Sequence, residues 1–237
     1  MTSETAFAQH HTSTWRLLAP TIDLYIRKMN FLLYEREFPV LKSNVVSERR
    51  GFINEIAFNA FCAIFADIMV RELSDKIWRA ATEEARIKIS LLENVRPESI
   101  TDPISTELED CVEQVRRLQV FVSRESKNKG VEVRPKFSGA GIIGSCEGDI
   151  YFDSSLFEIK AGQRKFRAVD LKQLLTYAAL NNSARSRPLS QLGLFNPRMG
   201  TSFSATLDDV CLEISGCTAA ELLPEIIRVI SSGDISR

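Results

Sequence analysis

Three side chains set the chemistry to look for: Asp149, Glu158 and Lys160. Leu156-Phe-Glu-Ile-Lys160 reads as a short strand, and side chains alternate faces along a strand, so Glu158 and Lys160 project together. Gly148-Asp-Ile-Tyr-Phe152 reads as a second strand, joined to the first by the turn-type sequence Asp153-Ser-Ser. With a two-residue turn at Asp153-Ser154, Asp149 stands directly opposite Glu158, and both carboxylates share a face with the lysine. A three-residue loop would shift the register and part them. Two carboxylates offer hard oxygen ligands to Mg²⁺ or Mn²⁺, with water completing the shell, and the Ile159 carbonyl is a further oxygen of the same kind. Such an ion lowers the pKa of a bound water and neutralises phosphate charge. A neighbouring ammonium orients the attacking water and stabilises the charge that develops. Hydrolysis of a phosphodiester needs these parts.

The residues that follow suit the same substrate. Lys160 to Arg167 forms a basic loop in which Arg164, Lys165 and Arg167 surround Phe166, a composition fit to grip a phosphate backbone. Val169 to Leu180 reads as a helix, where Gln173 and Tyr177, four apart, lie on one face. Lys172 on that helix and Arg198 beyond the next strand add positive charge. Each signal has a plainer reading: a solvated loop for the basic cluster, a core-edge ring with its hydroxyl in water for Tyr177, a turn residue for Asp153. Their order along the chain gives the set its weight.

Gly148-Asp149, then Glu158-Ile159-Lys160, then Gln173-x-x-x-Tyr177 resembles the PD-(D/E)XK nuclease superfamily, and within it the RecB-like branch with a Gln-x-x-x-Tyr helix. The resemblance spans about Val131 to Asn196. It implies an α/β (α+β), restriction-endonuclease-like αβββαβ core with a mixed sheet. It implies that Asp149 and Glu158 bind Mg²⁺ or Mn²⁺, that Lys160 assists the water, and that Gln173 and Tyr177 shape the site and contact DNA. Gly148 stands where many members have proline, and the cysteines of the iron–sulfur members are missing. Many members add a glutamate from the first core helix. Glu55 is the candidate here, with Glu109 and Glu113 as alternatives. The superfamily at large implies a deoxyribonuclease, of the kind that serves as nuclease subunit in restriction or anti-phage defence systems beside an ATPase or helicase. No G-x-x-x-x-G-K-[ST] is present to supply an ATP motor in this chain. The rival reading is a catalytically silent nuclease fold, an adaptor for nucleic acid or a partner protein. The intact Asp149, Glu158 and Lys160 argue against it.

The elements that must position these residues fall into two halves. Residues 1–127 read as a helical region that docks on the catalytic part, a partner or another copy as a homo-oligomer. Residues 128–237 read as the nuclease-like domain. Residues 1 to about 15 look loosely ordered. Leu24, Phe31 and Leu32 share a spacing that fits one helix face, broken at Pro39. Further helices are expected over Ser47–Val70, with Phe52, Ile56, Phe61, Ile64 and Ile68 as its apolar stripe, over Ser74–Glu93, and over Ser105–Arg124. In the last, Leu108, Val112, Val115 and Leu118 form the apolar row, and the polar Ser126–Gly130 stretch stops it. Gln191–Phe195 and Val210–Ile214 read as strands and Ala219–Ile230 as a closing helix.

Bulk composition leaves this open and closes other classes. The 237 residues can bury a real core, and a net charge of −1 neither announces nor excludes a nucleic-acid partner, since charge can be local. Five cysteines without a C-x-x-C pair, and two histidines, His10 and His11, argue against zinc or an iron–sulfur cluster. Reduced thiols suit a cytoplasmic protein. The first residues lack the build of a signal peptide. The best apolar run, Ile56–Val70, is too short for a bilayer and is interrupted by Asn59 and Asp67.

Overall fold

A strand whose residues are buried on both faces must lie inside a sheet that is covered on both sides. Ser155, Leu156, Phe157 and Glu158 are all buried, and the architecture follows from that. The computed structural model describes residues 1–66, 74–127 and 129–232. Among these the chain is mixed α/β. Three short helices, α1 (Glu4–His10), α2 (Thr12–Leu18) and α3 (Ile22–Lys28), lead through a π-helical turn at Met29–Leu33 to β1 (Glu35–Arg36). Then come α4 (Arg50–Ala66), α5 (Asp75–Glu93) and α6 (Ser105–Ser126). The strands β2 (Glu132–Val133), β3 (Lys136–Phe137), β4 (Cys146–Glu147), β5 (Ile150–Phe152) and β6 (Ser155–Ile159) follow. The chain closes with α7 (Ala168–Ala184), β7 (Gln191–Asn196), β8 (Thr201–Thr206), α8 (Leu207–Ser215) and α9 (Ala219–Ser232). No helix among the described residues is long and apolar enough to cross a membrane.

Six strands form one mixed sheet in the order β1-β8-β7-β6-β5-β2, and β3 and β4 pair separately. Within this sheet, among the described residues, β6 and β7 are the one parallel pair, as a strand–helix–strand crossover through α7 requires. Side-chain alternation assigns the faces. Leu156, Leu192, Leu194 and Phe203 pack with α1–α3, α7, α8 and α9. Ile150, Phe152, Phe157 and Phe195 pack with α4, α5 and α6. Both cores therefore draw on residues from either side of position 127, and β1 joins the sheet by pairing with β8. The helical first half covers the sheet that follows it.

Several sequence expectations are corrected. The first fifteen residues are ordered: Ser3 Oγ accepts the Ala6 N–H as an N-cap, and Phe7 and Trp15 are buried. Leu24, Phe31 and Leu32 are exposed, while Ile22, Tyr25, Ile26 and Met29, spaced as one helix face, are buried. The expected face is thus the solvent face from Leu24 onward, and Phe31 and Leu32 are displayed on the π turn that follows. On α6 Val112 is exposed, and Cys111, Val115, Leu118 and Val122 carry the buried row. Val210–Ile214 is helix, not strand: Leu207, Val210, Cys211 and Ile214 form one buried face and Thr206 caps the first turn. The sequence reading had no strand at β1 or β8. The ends of two expected features, residues 67–70 with Ile68 and Asn128 in the polar stop, lie outside the described residues.

The β5–β6 turn is two residues long, Asp153 and Ser154, with φ of 44° and 63°. Positive φ at both central residues is the type I′ geometry whose twist matches that of a hairpin. Serine in the left-handed region carries a steric cost that glycine avoids. Ser154→Gly is expected to raise unfolding stability by about 1 kcal/mol, readable as a higher denaturation midpoint with an unchanged slope in urea.

Candidate active site

The hairpin register decides whether the carboxylates meet. Ile150 pairs with Phe157, Tyr151 with Leu156 and Phe152 with Ser155. One step further along this register places Asp149 opposite Glu158. The Asp149 Oδ2 accepts the Ile159 N–H at 2.6 Å, a ladder donor that β5 leaves unpaired by starting at Ile150. Glu158 lies on the α7 face of the sheet, on the same side as Leu156 and Leu194. Lys160, just past the end of β6, donates to Glu158 Oε1 at 2.9 Å and to Gln173 Oε1 at 2.8 Å. Gln173 Nε2 donates to the Tyr177 hydroxyl at 2.9 Å and to Thr5 Oγ1 at 3.3 Å. The Tyr177 hydroxyl donates to Glu4 Oε1 at 3.3 Å. Asp149, Glu158, Lys160, Gln173 and Tyr177 thus form one continuous cluster at the carboxyl end of β6. Tyr177 is buried and stacked on Phe137 rather than open to water.

Neighbouring elements hold this cluster from outside. Asn54 of α4 donates to the Ala161 carbonyl at 2.9 Å and accepts from Arg198 Nε at 2.6 Å. Asn196 Nδ2 donates to the carbonyls of Gly162 and Arg164, pinning the loop after Lys160 to the end of β7. Arg198 is 2% exposed, with both terminal nitrogens on the Asp110 carboxylate. Its guanidinium is spent inside the protein as a brace, which corrects its expected place on a nucleic-acid surface. Arg164 is bidentate to Asp170 at the start of α7 and is only partly available. Lys172 is half-buried with its ammonium over the Trp15 ring. Lys165 and Arg167 are exposed, and among the described residues neither has an ion-pair partner.

Two glutamates flank the pair. Glu55 on α4 is salt-bridged to Lys88 at 2.6 Å and acts on Asp149 through its charge. Glu4, on the segment expected to be loose, acts on Glu158 from the α7 side. Glu109 is exposed and Glu113 is paired with Arg116 and Arg117, so neither alternative on α6 points to the cluster. Sequence reasoning missed Glu4, Thr5 and Asp110. The signal for the first two was present: the Ser3 cap with Phe7 and Trp15, eight apart on one side of successive turns, marks a docked N-terminal segment.

The electrostatics are those of two acids placed together out of water. Burial, then the charge of Asp149, pushes the Glu158 carboxyl up from 4.5 to about 8. Burial raises Asp149 as well, against Lys160 and the Ile159 N–H. Burial works to lower Lys160, but Glu158 and Asp149 outweigh it and hold the ammonium charged. Glu158 Oε2 is buried with no hydrogen-bond partner, an arrangement that costs stability. Among the described residues no three His, Cys, Asp or Glu side chains gather into a ready ligand cluster. A cation would rest on the Asp149–Glu158 pair, with the Ile159 carbonyl and water as the remaining oxygens.

No protein-family model matches the chain, and no curated protein matches it.

Between pH 4.5 and about 8 the folded chain keeps a proton on Glu158 that the unfolded chain has lost, so stability falls as pH rises through that window. Without divalent metal, Glu158→Gln should flatten this slope. Relative to wild type it should gain on the order of 5 kcal/mol by pH 9, with little difference near pH 4. Parallel pH profiles of the variant and wild type in urea unfolding would refute the assignment. Tyr177→Phe removes the acceptor for the Gln173 amide and should cost about 1–3 kcal/mol in the same measurement.

Proposed function

We propose that this chain is a metal-dependent nuclease that hydrolyses phosphodiester bonds, with Asp149, Glu158 and Lys160 at its centre. The observation that carries the reading is the buried, unpartnered Oε2 of Glu158 beside a second carboxylate. Uncompensated acids in a covered position are costly and are characteristic of sites that serve chemistry. A hard divalent cation, Mg²⁺ or Mn²⁺, fits this donor set. When bound there it supplies Lewis-acid stabilisation of phosphate charge and a more acidic water.

The chain's own residues supply the rest. Lys160, held charged between Glu158 and Gln173, presents an ammonium beside the carboxylates, where it orients an attacking water and offsets charge developing on the phosphate. Gln173 and Tyr177 fix the lysine through their shared hydrogen bonds. Asp149 is the less buried of the two carboxylates. Lys165 and Arg167 stand where the backbone of a nucleic acid would pass. The chain order α6, β2, β5, β6, α7, β7, with the β3–β4 hairpin inserted, follows the αβββαβ pattern of restriction-endonuclease-like cores and supports the reading.

Purified protein should bind Mn²⁺ in calorimetry and cut linear, circular or single-stranded DNA with Mg²⁺ or Mn²⁺. Lys160→Ala should slow cutting about 10²–10³-fold while retaining metal binding, and Asp149→Ala should lose both. A folded wild type that neither binds Mn²⁺ nor cuts any nucleic acid would overturn the nuclease reading in favour of an adaptor.

A further inference from the structure

We infer that Phe31, with Lys165 over its ring and Arg36 in the cleft that Lys165 shares, is a stacking platform for the unpaired bases of a single nucleic-acid strand entering the site. This deepens the nuclease reading and rests on it for the strand's destination. Phe31 is 78% exposed and Leu32 beside it 76%. Large apolar side chains are seldom presented to water side by side unless something covers them. They are displayed by the π-helical turn Met29–Leu33, closed by the Tyr34 N–H to the Met29 carbonyl at 3.0 Å. π-helical turns are rare and concentrate at functional sites.

This turn is bound to the active-site loop. Asn30 Nδ2 donates to the Phe166 carbonyl at 2.8 Å, and Asn30 Oδ1 accepts the Phe166 N–H at 3.1 Å. Phe166 is buried and Met29 is fully buried. The ring therefore stands on a fixed base with two anchors. The Lys165 ammonium lies 5.2 Å from the centroid of Phe31. Tyr34, Arg36, Lys165 and Met199 line an adjacent cleft of about 60 Å³. Among the described residues Lys165 and Arg36 have no ion-pair partner. Lys165 is five residues from Lys160, so their Cα atoms are at most about 18 Å apart.

A flat ring for a base, with unpaired cations beside it for phosphates, is the chemistry of single-strand recognition. A duplex would satisfy the cations and leave the ring unused, since its bases are already stacked. A protein partner with an acidic rim, or a second copy of the chain, is an alternative occupant that the test separates.

The test is equilibrium binding by fluorescence anisotropy in EDTA, which removes cutting from the measurement. The probes are short single-stranded DNA and RNA, abasic strands of the same length, and duplex DNA. Wild type should bind the base-bearing strands more tightly than the abasic strand. Phe31→Ala, a change at an exposed position, should weaken only the base-bearing strands, by about five-fold or more, and Phe31→Trp should retain the preference. Lys165→Ala should weaken every probe and reduce the salt dependence. Equal affinities for base-bearing and abasic strands, or no response to Phe31→Ala, would overturn the platform even if the enzyme cuts duplex DNA. So would a Phe31→Ala variant whose only change is a lower sedimentation coefficient, which would assign the patch to a second copy. Base discrimination retained in a protein that cuts nothing would leave the platform standing and remove the nuclease reading instead.

Discussion

Two carboxylates and a lysine held together on one face of a covered sheet are the constraint around which the rest of the protein is arranged. Charges in such a place are costly unless compensated. The structure compensates them in part: the Ile159 N–H serves Asp149, Lys160 serves Glu158, and Gln173 serves Lys160. One oxygen of Glu158 is left over. What remains unbalanced is of the kind a hard cation would balance, which is why the functional reading turns on this one atom more than on the identity of any motif.

Keeping those groups in place requires the sheet, and keeping the sheet covered requires the helical first half. β6 has α7 against one face and α4 and α6 against the other, so neither half of the chain has a complete core without the other. Braces reach the site from both directions. From the α4–α6 side, Asp110, Arg198 and Asn54 form a buried chain of hydrogen bonds ending on the Ala161 carbonyl. From the α7 side, Glu4 and Thr5 complete the partners of Tyr177 and Gln173. A buried polar network is favourable only when its members are satisfied, and this division of labour satisfies nearly all of them.

The basic residues around the site divide by what they already touch. Arg198 and Arg164 belong to Asp110 and Asp170 and serve the architecture. Lys165, Arg167 and Arg36 have no such commitment among the described residues and face solvent near the loop. A near-neutral chain thus presents a local positive surface beside an acidic centre. The summed charge of −1 averages these two away.

The local order of the site was legible in the sequence. Period-two alternation placed Glu158 and Lys160 on one side and the four-residue spacing aligned Gln173 with Tyr177, while the length of the hairpin turn, and with it the register of Asp149 against Glu158, was decided by the structure. The alternation and the spacing follow from covalent geometry over a few residues. The closing helix α9 was readable for the same reason, since its apolar periodicity is regular. Tertiary structure alone decided the rest. Glu4 and Thr5 lie 168 or more residues from their hydrogen-bond partners, and no local pattern encodes a contact at that distance. The short strand β1 exists because β8, itself paired along its length with β7, offers it a partner across the chain. Whether Arg198 meets phosphate or Asp110 depends on what packs over it, because the same guanidinium suits both. The face that carries Leu24 and Phe31 is solvent-exposed because the neighbouring Ile22, Tyr25, Ile26 and Met29 face took the core instead, a choice that depends on what packs against the helix. The sequence by itself determined which groups could act together along a strand or a helix. Only packing determined which distant groups close the site around them.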